Sequence, residues 1–391
     1  MPKKPHPTDE MHAAVTLRDI AARCGVSNAT VSRALRDPSS QNAETSRRIM
    51  ETAQAMGYDQ EVHHAARRMS LRKYGKEDIN HLIGLVFPQH YYQAPYFNEI
   101  FEGLLSVLTP KGYGILLIDG NAIPTAPLPP CFSRGEVDGV IVYDQSTRFR
   151  PTYERLRNMR SFGQRPILSM IEEFDGCSSV LVDKSGGAYA VANHLLDLGH
   201  QHLLYVCGMD RVHHDTRPQV ALYESYVQAC RDRGWNPDEH LFPGEIGMRF
   251  WMMAFDPRYS HKLGMLDALP MSADNPLLRT LRQHPEITAI LAPNDGAALV
   301  VHRLLTRNGI RVPDDISLVG FDDTNSIFDE KWQNILTTVR VPLQQVGRTS
   351  ARLMIERITG ERKHDAMRVL PTKLLIRAST CAPASRVEPG K

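Results

Sequence analysis

The sequence predicts an α/β protein led by a small all-α head. Two observations carry that prediction. Residues 16–35 hold two short apolar stripes at helical spacing, each preceded by a capping hydroxyl and separated by a glycine. From about residue 78 onward, runs rich in Val, Ile and Leu alternate with amphipathic helical stretches, the mark of parallel sheet covered on both faces. The chain has 391 residues, which is too long for one small domain and predicts two or three units with ample core.

Thr16 is placed to cap a helix in which Leu17, Ile20 and Ala21 share one face, with Arg18, Asp19 and Arg23 off it. Gly25 suits the left-handed residue that ends such a helix, and Val26 plugs the angle that follows. Ser27 is a second N-cap, and Val31, Ala34 and Leu35 form the buried stripe of the next helix. Asn28, Ala29, Thr30, Ser32 and Arg33 are left facing outward. Short polar side chains with one arginine let a helix seat in a major groove and bond base edges and phosphates. The unit reads as a helix-turn-helix. A third helix starts within residues 42–45, carries Ile49, Ala53 and Met56 on its apolar edge, and closes at Gly57-Tyr58.

The formal net charge is only +2, but the positive charge is uneven. Lys3, Lys4, Arg18, Arg23, Arg33, Arg36, Arg47, Arg48, Arg67, Arg68, Arg72, Lys73 and Lys76 crowd the first fifth of the chain with few acids between them. That is the expected electrostatic footprint for a phosphate backbone. The six cysteines are scattered with no Cys-x-x-Cys pair, so neither a zinc site nor a disulfide framework is expected. Residues 1–14 read as a disordered tail without the apolar core of a signal peptide, and no run is long enough to span a membrane. The expected location is cytoplasmic.

In the α/β region, residues 81–87 read as a first strand and 96–108 as a helix with Phe97, Ile100, Leu104 and Leu108 near one face. Strands follow at 113–118 and 137–143, with a proline-rich loop at 124–130 between them. Residues 166–170 and 180–182 are further strands, 187–198 a helix, and 202–207, 289–292 and 316–320 complete the stronger strand signals. Ligands of open α/β sheets bind beyond the carboxyl ends of strands. Asn294, Asp295, Phe321 and Asp322 stand at such ends, as do Phe87, Gln89, Tyr92, Tyr96 and Phe97 after the first strand. No Gly-x-Ser-x-Gly elbow, Walker loop or His-Glu-x-x-His motif is present, so no catalytic residue, metal or cofactor is assigned.

The head resembles the lactose-repressor (LacI) family of bacterial transcription regulators. The matching residues are Thr16-Leu17, Ile20-Ala21, Gly25-Val26-Ser27, Thr30-Val31-Ser32-Arg33, Thr45 and Gly57-Tyr58. Ala66-Arg67-Arg68-Met69 is similar to the family's hinge helix, although Gln60-Glu61 stands where Pro-Asn is usual. The resemblance continues through Ser179-Val-Leu-Val-Asp183, Gly186-Gly187, Leu198-Gly199-His200, Asn294-Asp295, Val312-Pro313-Asp314-Asp315-Ile316-Ser317, Val319-Gly320-Phe321-Asp322-Asp323, Leu336-Thr337-Thr338-Val339 and Leu370-Pro371-Thr372. It implies a periplasmic-binding-protein-like core with two α/β subdomains flanking a cleft and three chain crossings. The expected division is a head at 15–60, hinge helix and linker at 61–77, a core at 78–380 and a tail at 381–391. Within the core, one subdomain takes about 79–182 and 342–365, and the other about 183–339 and 370–380.

The implied function is sequence-specific regulation of transcription, expected to be repression, controlled by a carbohydrate or related small effector in the cleft. The implied DNA-contacting residues are Thr16, Ser27, Asn28, Ala29, Thr30, Ser32, Arg33, Thr45, Arg67 and Met69. Asn28 and Ala29 read bases, Arg33 meets a base or a phosphate, and Met69 wedges into the minor groove. Useful specificity needs two heads, so a homodimer on a near-palindromic double-stranded operator is expected, and no leucine heptad follows residue 379 to make a tetramer. Asn294 and Asp322 either contact the effector or cap the helices that follow them. Leu222 stands where the family often has an effector-gripping arginine. Arg217 is nearby and either substitutes for it or is merely solvated. Residues 250–255 stack on the effector or pack, and His200, His202, His213 and His214 lack a metal-binding register. The rival reading is an α/β enzyme fused to a DNA-binding head, with Asp183, Asp295 and Asp322 as acids or bases.

Overall fold

The computed structural model of the protein describes residues 15–36, 42–58, 79–87, 95–120, 127–143, 150–159, 162–174, 176–207, 217–247 and 275–384. Two compact units divide the chain, Met1–Ile79 and Asn80–Lys391. The hinge helix expected near residues 65–71, with Arg67 and Met69, lies outside the described residues.

The first unit is three helices, α1 (Leu17–Cys24), α2 (Asn28–Arg36) and α3 (Ala43–Ala55). Thr16 and Asp19 form a reciprocal capping box: the Thr16 amide donates to Asp19 Oδ2 at 2.8 Å and the Asp19 amide to Thr16 Oγ1 at 3.4 Å. Gly25, at φ 62°, ends α1 in the left-handed conformation. Ser27 Oγ accepts the Thr30 amide at 3.1 Å at the start of α2, and Asn42 Oδ1 accepts the Glu44 amide at the start of α3. Ile20, Val31, Ala34 and Ile49 are fully buried between the helices, with Val26, Leu35 and Tyr58 packed at the edge. The Arg48 guanidinium donates to the Cys24 carbonyl at 3.2 Å, tying α3 to the negative end of α1.

In the second unit β1 (Leu82–Phe87), α4 (Pro95–Leu108), β2 (Gly114–Asp119), α5 (Pro130–Ser133), β3 (Gly139–Tyr143), α6 (Arg150–Asn158), β4 (Ile167–Met170) and β5 (Ser178–Val182) build a first subdomain. The second is built by α7 (Lys184–Asp197), β6 (Leu203–Cys207), α8 (Arg217–Asp232), α9 (Pro237–His240), β7 (Leu241–Glu245), α10 (Pro276–Gln283), β8 (Ala289–Leu291), α11 (Asp295–Arg307) and β9 (Ser317–Val319). The chain then runs through β10 (Thr338–Arg340), α12 (Leu343–Ile358), β11 (Met367–Leu370) and β12 (Lys373–Leu375).

All pairings within the two large sheets are parallel. The first has the order β11-β5-β4-β3-β1-β2, the second β7-β6-β8-β9, and β10 pairs antiparallel with β12. Central strands such as β1, β3 and β8 are buried on both faces, which is why they read as unbroken apolar runs. The α12 helix packs on α4 in the first subdomain, so the chain passes between subdomains after Val182, after Arg340 and after Leu370.

Three strands were not foreseen, and one of them, β10, is only three residues long. Pro243 and Gly244 interrupt any apolar run over residues 241–245, but β7 is an edge strand, where a proline is tolerated. β11 is short too, and three of its four residues are exposed, so it carries no apolar run. The last strand, β12, falls inside the stretch 370–380 expected for the second subdomain. Beyond it, the Ser379 amide donates to the Ile335 carbonyl at 2.8 Å and its hydroxyl to the Leu318 carbonyl at 2.6 Å, sewing the end of the chain beside β9.

Candidate nucleic-acid interface and cleft

Because Val31 and Ala34 point into the head's core, the rest of α2 is turned outward. Asn28, Ala29, Ser32 and Arg33 are exposed, and Thr30 is half-buried with its hydroxyl 2.8 Å from that of Ser27. Thr16 and Ser27 are exposed at the two helix starts, and Thr45 is half-buried at the start of α3. Arg18 and Arg23 add exposed positive charge on α1. The surface therefore combines two helix N-termini, which offer amides to phosphates, with a short-side-chain helix face that can approach base edges.

In the core, the aromatic residues after β1 form one packed group. Phe87 and Phe97 stack at 4.7 Å between ring centroids, Phe97 meets Tyr143 at 5.5 Å, and Tyr96 meets Tyr143 at 6.4 Å. Phe87 and Phe97 are buried, whereas Tyr96 is half-buried. Gln89 and Tyr92 lie outside the described residues, as do residues 250–255 and His213 and His214. Arg217 stands in the first turn of α8, its side chain outside the description, and Leu222 is buried in the same helix. His200 is buried beneath the end of the chain, and His202 stacks with His240 at 5.3 Å.

On the facing side, Asn294 follows the capping alternative: its Oδ1 accepts the Ala297 amide at 2.7 Å at the start of α11. Asp295 is fully buried, accepting from the Thr338 hydroxyl at 2.6 Å, the Thr324 amide at 2.8 Å and the Asn325 amide at 3.4 Å. Burial raises its carboxyl well above the ordinary range despite these donors. Phe321 is buried against this network. Asp322 differs: it is half-buried at φ 100°, with its amide donating to the Val339 carbonyl at 2.8 Å. Its carboxylate has no hydrogen-bond partner among the described residues, and burial pushes it up to about 7, with Lys184 pulling the other way.

The crossings meet at this point. Thr372 Oγ1 donates to the Asp183 carbonyl at 2.9 Å, joining the first crossing to the third. A β-carbon added to Gly187 would lie 2.5 Å from Thr372 Oγ1, 2.7 Å from Val339 Cγ1 and 3.3 Å from Phe321 Cζ. The first turn of α7 therefore presses directly on the other two crossings. Asp323 accepts from Arg340 at 2.7 Å and Arg377 at 2.8 Å. Glu99 on α4 feels this group: burial, then the charges of Asp323 and Glu102, raise its carboxyl, partly offset by Arg340.

Sequence reading missed Lys184, Glu172 and Arg340. One signal was present for Lys184. It directly follows the helix N-cap Asp183, where the helix dipole disfavours a cation.

Comparison with known proteins gives the family. Residues 16–61 match the bacterial regulatory proteins of the lacI family, and residues 192–380 match a periplasmic binding protein-like domain. The regulator CelR of Thermobifida fusca is 27% identical over 368 residues, covering 93% of this chain and 98% of the relative. The chain joins a lacI-family DNA-binding head to a periplasmic binding protein-like core. It is thus a DNA-binding transcriptional regulator, and its relatives are regulators rather than enzymes. Its fold is that of the lac repressor dimer bound to operator and the anti-inducer ONPF, with a TM-score of 0.65 at 21% identity, covering 95% of this chain and 100% of that one. A CelR–cellobiose complex gives 0.57 at 22% identity, covering 93% and 99%. No described helix is long and apolar enough to cross a membrane.

Proposed function

We propose that this regulator represses transcription from the cytoplasm as a homodimer on a near-palindromic operator, and that a small hydroxyl-rich metabolite in the core controls its grip. One observation carries the reading: a capped, outward-facing α2 is joined in one chain to two sheets whose strand ends converge on a partly buried, unpartnered carboxylate, Asp322. A CelR relative is recorded with cellobiose, which supports a carbohydrate as the class to try first.

Asn28 and Ala29 do the base reading, Arg33 meets a base or phosphate, and Thr16, Ser27, Thr30, Ser32 and Thr45 hold the backbone. Arg67 and Met69 act in the hinge, where Met69 wedges between base steps. In the core, Asp322 and Tyr96 touch the effector, with Gln89, Tyr92 and Arg217 beside them. Phe87, Phe97, Phe321, Asn294 and Asp295 shape the site from behind. The division into head (15–60), hinge and linker (61–77) and core (78–380) follows these roles.

Exposed apolar residues on α4 and edge strand β2 (Leu105 and Leu117, each 38% exposed) and in the β9–β10 connection (Phe328 and Trp332) support a two-fold partner. The core binds its metabolite without turnover. Exchanging Asn28 and Ala29 should change the operator selected from a random DNA pool while leaving the melting temperature in place. An unchanged operator would sink this assignment of readout.

A further inference from the structure

The buried charges where the crossings meet carry one more conclusion, which rests on the reading of the core as an effector site. Lys184 opens α7, immediately after its N-cap. The dipole opposes a cation there, and burial opposes it again by holding the ammonium below its ordinary range. The Lys184 side chain makes no hydrogen bond or ion pair with any described residue. Lys184 shares the first turn of α7 with Gly187, whose added β-carbon would lie 2.7 Å from Val339 Cγ1 and 3.3 Å from Phe321 Cζ. That turn therefore stands beside the strand end that carries Asp322, whose amide donates to the Val339 carbonyl. The charges of Asp322 and of Glu172, beyond the end of β4, both act on the ammonium. Glu172 is fixed by its backbone, whose carbonyl accepts the Ser169 hydroxyl after a left-handed Ile171 at φ 75°.

A half-buried cation and a half-buried carboxylate that attract each other without meeting are costly to keep. Positions that break a local rule at such cost are expected at functional sites. The other cations at this point, Arg340 and Arg377, are both held by Asp323. Of these described cations, Lys184 is the one that no acidic side chain holds.

We propose that Lys184 is a specificity-determining residue that works with Asp322 as the two halves of one effector contact, taking a neutral hydroxyl that accepts from the ammonium and donates to the carboxylate. The hydroxyl fits because it satisfies both groups at once. A phosphate would meet Asp322 and Glu172 as like charges, and an amine would meet Lys184.

The test uses the full-length protein, its Lys184→Met and Lys184→Arg variants, and cellobiose and ribose as probes, read by thermal shift and calorimetric titration. The expected result is binding of at least one sugar to the wild type and a loss of at least about tenfold in Lys184→Met. Partial recovery is expected in Lys184→Arg. Without sugar, Lys184→Met should melt at or above the wild-type temperature, since a half-buried charge without an ion-pair partner among the described residues has been removed. A Met variant that binds within about twofold of wild type would overturn the role of Lys184 and leave the effector reading intact. A Met variant that melts lower without sugar would make Lys184 a brace for the fold and overturn the proposal. If neither sugar binds the wild type, the carbohydrate reading fails, and the proposal falls with it.

Discussion

His200 is 1% exposed, and both its ring nitrogens are occupied: Nδ1 lies 2.8 Å from the Thr288 hydroxyl, and Nε2 lies 3.1 Å from the Ser317 hydroxyl and 2.9 Å from the Cys381 carbonyl. One side chain therefore fastens the end of the chain to β9 and to the start of β8. Burial holds its imidazole below the ordinary 6.5, with His194 adding to the effect and the Cys381 carbonyl opposing it. The unfolded chain takes up this proton first as pH falls. The stabilisation is complete above about 6.5 and is lost as pH drops toward the folded value. Asp322 has the opposite sign. Its folded carboxyl titrates near 7 against an ordinary 3.8, so its contribution is present at low pH and lost as pH rises through 7. Denaturant midpoints measured from pH 5 to 7 should therefore tilt in opposite senses in the two variants. His200→Asn should flatten the rise of stability with pH, and Asp322→Asn should steepen it.

At the scale of elements, the head's helices are set by their ends. Ser27→Ala removes the acceptor for the Thr30 amide and should lower the head's stability by about 1 kcal/mol, read from its thermal unfolding. The first turn of α7 is limited by space instead. Gly187→Ala pushes a methyl against Val339 and Thr372 and should cost about 1–3 kcal/mol in chemical denaturation. Much of this level was legible in the sequence. Thr16, Gly25 and Ser27 announce their roles by residue type, and the strands buried on both faces announce themselves by composition. The fates of Asn294 and Asp295 were not legible, because a polar residue at a strand end can cap, pack or bind. The Thr338 hydroxyl, 43 positions away, and the Thr324 and Asn325 amides show that Asp295 is occupied. Lys184 was hidden for the same reason, since its neighbours Glu172 and Asp322 converge only after both sheets have formed.

For the whole molecule, the proposed two-fold association makes a prediction about size. Light scattering at micromolar concentration should return a dimer. Leu117→Arg or Trp332→Arg should shift it toward monomer and weaken operator binding, since Trp332 is 81% exposed beside Phe328 at 5.8 Å between ring centroids. The parallel pairing of β11 with β5 also bears on how the protein is made. The strand that closes one edge of the first sheet is delivered from residues 367–370, almost two hundred positions after its partner. A ribosome that has released the whole of residues 80–340 still carries a sheet with an open parallel edge, a template for pairing with another nascent chain. The head, whose described core is drawn from residues 15–58, can form while the rest is still being synthesised. Stalled or truncated products should therefore keep a folded DNA-binding end on a core prone to self-association, and would compete for operators without being answerable to any effector.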